Sequence, residues 1–320
     1  MEFSANNPAD CFLMVKTADR KVTAKGMPYL DLMLCDKTGE ISAKLWDYRE
    51  EVQGTFEPGT IVKIRGTVSP YNGVDQLRIE RIRKAVPSDE IDPSDFVPSA
   101  DVSGEQLFNE LMIIAENISD NEIRALVTDI YTEYKEKLIF WPAAFRLHHA
   151  IRGGLLYHTL SIVRLAQAVC KIYPSVNSDL LISGAMLHDI AKTDEFIVND
   201  AGTASGYSLE GNLVGHLAKG AMIIGKAAEK LGTSENAKLL LQHMVLSHHG
   251  EPEFGAAVRP MFLEAELLSE LDLMDARIYE LEEAIGNVAS GEYTNKMWAL
   301  DNRKFYNHGR NAVDTKAKLI

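Results

Sequence analysis

The chain is poor in cysteine. Its three, Cys11, Cys35 and Cys170, are odd in number and far apart, which excludes a disulfide framework and any metal-finger spacing. No apolar run reaches the ~18 residues of a membrane span, so no membrane partner is expected. The start, MEFSANNPAD, lacks the basic residues and apolar stretch of a signal peptide. Together these absences set the expectation of a reducing cytoplasm. A basic excess is missing too. The formal net charge of -13 argues against a nucleic-acid partner for the chain taken whole. The deficit is uneven, however. Residues 1–86 hold 13 Lys and Arg against 12 Asp and Glu, while the remainder holds 20 against 34. A near-neutral front precedes an acidic back, and 320 residues are enough for two domains.

The first ~86 residues alternate with period two. Phe12–Val15, Tyr29–Cys35, Glu40–Trp46, Ile61–Val68 and Gln76–Ile82 read as strands, with turns at Asp36–Gly39, Pro58–Gly59 and Tyr71–Gly73. Five short strands in ~75 residues suit a small closed barrel of the OB type, with a short helix near Glu50–Phe56. Residues 87–103, rich in Pro, Ser and Asp, read as a linker. Beyond it the period changes to three and four. Helices are expected over 155–173, 179–191, 215–231, 235–248 and 261–285, and a long polar connection over 193–212. The fold class is therefore two-domain: an all-β OB barrel over 1–86 and an all-α bundle over 104–320.

Eight of the nine histidines fall between 148 and 249. His188-Asp189 closes an otherwise apolar helix, LLISGAML. Two polar groups at the end of a buried helix need partners, and a divalent metal would satisfy both; imidazole nitrogen with carboxylate oxygen suits Mn, Fe, Co or Zn. His158 follows Gly153-Gly154 on an inward stripe with Leu155, Ile162 and Leu165, the glycines allowing two helices to approach. His216 opens a helix, and His248-His249 ends another. Asp272 and Asp275 sit one turn apart in apolar surroundings, where a buried aspartate needs a partner.

The series H…HD…H…HH…D resembles the HD superfamily of metal-dependent phosphohydrolases, all-α bundles whose ligands come from separate helices. By that resemblance the metal ligands are His158, His188, Asp189, His216, His248, His249 and Asp272, with Asp275 as the alternative for the last place and Asp189 bridging two ions. Lys192 matches a lysine that contacts substrate phosphate. No GYP sequence is present, which disfavours a cyclic dinucleotide. Barrel plus HD domain is similar to the YhaM family of 3′-to-5′ exoribonucleases, through residues 25–47, 148–163 and 246–260 with LDLMDAR beyond.

That resemblance implies hydrolysis of single-stranded RNA, with DNA as a second substrate, to nucleoside 5′-monophosphates. It implies two divalent ions, manganese first and iron, cobalt or zinc as alternatives. Asp189, Lys192 and His149 are the expected catalytic residues, and His149, His243 and Lys192 the candidates for general acid. OB barrels hold single strands on aromatics beside cations; here Trp46, Tyr48 and Tyr71, with Lys44, Lys63 and Arg65, are the expected contacts. A homo-oligomer is compatible with the sequence. The competing readings are an HD phosphodiesterase or nucleotidase acting on small nucleotides, and a single-strand-binding factor with a structural metal.

Overall fold

The computed structural model describes residues 8–310 except 24, 37, 72–73, 90, 92–94, 97–101, 145–150 and 200–201. These form two compact units, Met1–Ser99 with Ile197–Gly206, and Ala100–Phe196 with Tyr207–Ile320.

The first unit is a closed five-stranded barrel of order β1-β2-β3-β5-β4, with β1 Pro8–Val22, β2 Pro28–Asp36, β3 Gly39–Trp46, β4 Ile61–Tyr71 and β5 Val74–Lys84. Period-two alternation decides which side chains enter the core: Leu30, Leu32 and Leu34 of β2, Ile41, Ala43 and Leu45 of β3, Val62 and Ile64 of β4, Leu77 and Ile79 of β5. β1 runs on through the charged stretch after Val15. Its first half pairs with β4 and its second with β2, and a bulge between Val15 and Thr17 lets one strand serve both. The turn after β2 is held by Asp36, whose Oδ1 accepts from the backbone N–H of Thr38 at 2.7 Å and of Gly39 at 3.2 Å. The expected short helix is α1, Glu50–Gln53.

Part of the expected linker is instead barrel structure. Pro87–Asp89 form a 3-10 turn, Asp89 takes a two-pronged contact from Arg83 at 2.7 Å on each oxygen, and Phe96 is buried against Met14 and Cys35. Pro and Asp give that stretch a linker composition, yet within it Asp89 is held by an ion pair and Phe96 by burial.

The second unit is helical: α2 Gly104–Glu116, α3 Asn121–Leu138, α4 Gly154–Ile172, α5 Ser178–Leu187, α6 Lys192–Glu195, α7 Leu209–Leu213, α8 Gly215–Leu231, α9 Glu235–Ser247 and α10 Leu263–Gly286. Side-chain caps start several of them, among them a capping box of Ser103 and Gln106 on α2 and Asp120 on α3. The core helix α5 is apolar all round because α3, α4, α9 and α10 surround it. Gly184 lets it pack so closely that a Cβ there would lie 2.2 Å from Met244 Cε of α9. Of the glycines before His158, Gly153 takes a left-handed φ of 73° as the cap of α4, setting the chain's direction into that helix. The connection over 193–212 also carries structure, the hairpin of β6 (Phe196–Val198) and β7 (Ala204–Tyr207), then α7.

Candidate functional site

α5 ends at Leu187, four residues short of expectation. The His188 N–H still bonds Gly184 O, but Ile190 then bonds Leu187 O and Lys192 bonds Asp189 O, a tightening usual at helix ends. Two ties hold this turn. Tyr131 of α3 donates its hydroxyl to Met186 O at 2.7 Å, and the Trp141 indole N–H donates to Lys192 O at 2.7 Å.

Around the turn gather His158 from α4, His216 from α8, His248 and His249 from the end of α9, and Asp272 and Asp275 from α10. Each histidine has its Nδ1 engaged. That of His158 meets Asp275 Oδ2 at 2.7 Å, those of His188 and His248 meet Ala185 O and Val245 O at 2.8 Å, that of His216 meets Glu195 Oε1 at 3.0 Å, and that of His249 meets Phe254 O at 3.0 Å. With Nδ1 as donor, each ring in its neutral form aims an Nε2 lone pair inward, the arrangement of metal-ligating histidines, and His158 takes it up on losing its second proton.

The two oxygens of Asp189 divide these rings. Oδ2 lies 3.3 Å from His188 Nε2, 3.7 Å from His158 Nε2 and 2.6 Å from Lys192 Nζ. Oδ1 lies 3.6 Å from both His216 Nε2 and His248 Nε2. Separations of 3.6 Å are too long for hydrogen bonds, and Asp189 Oδ1, His216 Nε2 and His248 Nε2 are buried without a partner. Ligand bonds of ~2.0–2.1 Å put neighbouring ligand atoms roughly 3–3.5 Å apart, so these atoms fit around a shared cation better than around one another. Among the described residues three triads have ligand atoms within 4.8 Å of each other: His216, His248 and His249; His158, His188 and Asp189; His188, His248 and Asp272. The donor set of imidazoles and carboxylates fits a first-row divalent metal.

Asp272 and Asp275 take different places. Asp272 Oδ1 faces the inner nitrogen of His158 at 3.2 Å, and Asp275 takes the outer one and a hydroxyl from Ser161. Burial opposes a charge on His158, but the two carboxylates outweigh it and raise its pKa to about 10. For His249, burial together with His248 and His216 pushes the pKa down to about 4. Asp189 would be raised by burial, yet Lys192 and His188 hold it well below the carboxylate range. Burial opposes the charge of Lys192 in turn, and Asp189 more than offsets it, so the ammonium persists.

Glu195 and Asp275, which hold His216 and His158, went unassigned in the sequence as orienting groups. The signal for Glu195 was slight: an acid six residues after Asp189 in HDIAKTDE. His149 lies outside the described residues. His243 is turned to another use: its Nε2 accepts from the Met261 N–H at 3.0 Å and its ring packs on Phe262. Burial lowers its pKa.

On the barrel, Trp46 is 40% exposed and packs its ring on Tyr29, centroids 4.8 Å apart. The two pair across β2 and β3, and Lys44 lies over Tyr29 at 4.9 Å while meeting Asp31 at 3.2 Å. Tyr29 is a candidate the alternation did not single out. Tyr48 corrects an expectation. It is buried in the barrel core and its hydroxyl donates to Gly54 O at 2.8 Å, so it presents no ring to a strand; its place past the end of β3 broke the alternation that would have revealed this. Lys63 is partly buried over Phe12 at 5.2 Å, and Arg65 is exposed. Tyr71 ends β4, its side chain outside those described.

Residues 155–277 match the family model described as HD domain, and residues 15–85 match the one described as OB-fold nucleic acid binding domain. Among solved structures, a replication protein A heterotrimer bound to ssDNA is similar at 16% identity over 26% of this chain, with a TM-score of 0.22; the match spans 61% of that chain. The protein PriB from Ralstonia solanacearum is similar at 15% identity over 26% of this chain and all of its own, TM-score 0.23. The second OB-fold domain of replication protein A from Methanococcus maripaludis is similar at 18% identity over 28% of this chain and 91% of its own, TM-score 0.22. An N-terminal OB barrel is thus followed by a helical region matching the HD domain. Among the described residues no helix is long and apolar enough to cross a membrane.

Proposed function

We propose that this protein is a metal-dependent 3′-to-5′ exonuclease of single-stranded RNA, as its similarity to the YhaM family implies. The reading rests above all on Asp189, whose two carboxylate oxygens face two separate sets of histidines.

In this reading His158, His188, Asp189 and Asp272 would hold one divalent ion, and Asp189, His216, His248 and His249 a second; such ions would supply charge neutralisation on the phosphate and a lowered pKa for the attacking water. The chain's own groups do the rest. Asp275, Glu195 and the carbonyls of Ala185, Val245 and Phe254 fix the rings. Lys192, kept charged, offers a compact cation beside Asp189 to a phosphate oxygen. Water adds to phosphorus, the bond to the 3′-oxygen of the upstream nucleotide breaks, and that oxygen takes a proton from a general acid. The product is a nucleoside 5′-monophosphate. The barrel's Tyr29–Trp46 pair, with Lys44 and Arg65, supports a grip on single-stranded polymer.

The test is incubation of 5′-labelled single-stranded RNA with protein and Mn²⁺, with and without chelator. A ladder shortening from the 3′ end, and stopped by chelator, is expected. Cleavage of mononucleotides or cyclic nucleotides alone would replace this reading with a small-nucleotide hydrolase, and binding without cleavage would replace it with a binding factor.

A further inference from the structure

Past α10 the chain forms a small hairpin-like module. Bridges join Tyr293 to Tyr306 and Met297 to Arg303, a 3-10 turn, Trp298–Leu300, makes the tip, and the ladder between Gly291 and Asn307 is completed by Thr294–Phe305 and Asn307–Glu292 backbone bonds. It is tied to the end of α10: Asn307 Nδ2 donates to Val288 O at 2.8 Å and to Ile285 O at 3.4 Å, and Leu300 and Thr294 are buried. A folded element of this kind would be expected to turn its aromatic rings inward. This one leaves them out: Tyr293 is 63% exposed, Trp298 72% and Tyr306 48%. The two tyrosine rings pack on each other at a tilt, centroids 5.1 Å apart, and Trp298 lies in the turn at the tip.

The charge here runs against the rest of the domain. Residues 87–290 hold 14 Lys and Arg against 31 Asp and Glu, whereas residues 291–310 hold Lys296, Arg303, Lys304 and Arg310 against Glu292 and Asp301. All four cations are exposed; among the described residues Arg303 alone is paired with an acid, Asp301 at 3.7 Å. Solvent-facing rings interleaved with cations, on an otherwise acidic domain, match what a single-stranded polyanion requires: faces for bases to stack on and charge for phosphates.

We infer that the module of residues 291–310 is a second single-stranded nucleic-acid contact, in addition to the barrel, with Trp298 and the Tyr293–Tyr306 pair as stacking surfaces and Lys296, Arg303, Lys304 and Arg310 as phosphate contacts. This rests on the nucleic-acid reading above. A second contact on the catalytic unit itself also makes sense of a barrel with a net charge of only +1 (13 Lys and Arg against 12 Asp and Glu over residues 1–86).

The experiment is fluorescence anisotropy of a labelled single-stranded oligoribonucleotide with the full chain in chelator, across a salt series. Trp298→Ala should weaken binding about five-fold or more, with Trp298→Phe restoring most of it. Lys304→Gln with Arg303→Gln should flatten the slope of log affinity against log salt by roughly 0.7 per cation removed. These side chains are exposed, so melting temperature should hold. If the module variants bind like the wild type while Trp46→Ala weakens binding, the inference is wrong and the nucleic-acid reading stands. If the wild type binds no strand, both are wrong. If the variants change sedimentation but not RNA affinity, the module is a contact between copies of the chain, and the inference is again wrong.

Discussion

His216 donates its Nδ1 hydrogen to Glu195 Oε1 across 3.0 Å, and the same oxygen also accepts the His216 backbone N–H at 3.3 Å. One carboxylate thereby fixes both the tautomer and the position of the ring. Glu195 is itself anchored, its carbonyl accepting from Ser208 N–H at 2.8 Å.

Glu195→Ala should therefore cost the site that His216 serves more than the site that His158 serves. Orienting partners of metal ligands are worth about 10–100-fold in metal affinity or activity. Titration calorimetry with Mn²⁺ should show one binding step weakened by that factor and the other retained, with Glu195→Gln intermediate. Equal weakening of both steps would show that Glu195 acts only through overall folding.

The metal-free chain should be most stable near neutral pH for a stated reason. His158 has its pKa raised to about 10 in the folded chain, above the ~6.5 of a free histidine. Its contribution is full below about 6.5 and lost as pH rises through about 10. His249 is depressed to about 4, so its contribution is present above about 6.5 and lost as pH falls through about 4. Calorimetric melts in chelator should decline on both sides, and His158→Gln should remove the alkaline decline. Loading with metal should also release the His158 proton at pH 8, visible as a buffer-dependent heat.

Lys192 is bonded to Asp189 at 2.6 Å and remains an ammonium. Removing a fixed charge aimed at the reacting phosphate costs about 10²–10³ in kcat. Lys192→Met should show that loss with metal content unchanged. A loss of metal instead would make Lys192 a support for Asp189 alone.

In the barrel, Tyr48 and Trp46 should separate cleanly. Tyr48→Phe removes one buried hydrogen bond and should lower stability by about 1 kcal/mol with RNA affinity unchanged. Trp46→Ala should leave the melt nearly unchanged and weaken strand binding.

Much of this was legible in the sequence, because two different periods and one cluster of histidines are local signals. The barrel strands follow from alternation such as Leu30, Leu32, Leu34, and His158, His188 and His248 stand out by sitting on apolar helices. What was hidden was set by tertiary contact. Nothing local distinguishes Asp272 from Asp275, since only the His158 ring, 117 residues from Asp275 in sequence, sorts them. The role of Glu195 depends on α7 and Gly215 bringing His216 back to it. Residues 87–96 have linker composition, and nothing in it announces that Phe96 is buried against Met14 and Cys35. Nothing local in residues 291–310 announces the bridges that join Tyr293 to Tyr306 and Met297 to Arg303.

The most direct measurement is metal content, by elemental analysis, and RNA hydrolysis on the same samples of wild type and Asp189→Asn. Two Mn per chain with 3′-end hydrolysis in the wild type, and loss of at least one ion together with hydrolysis in the variant, is the expected result. Unchanged metal content and activity in Asp189→Asn would contradict a centre built on that carboxylate.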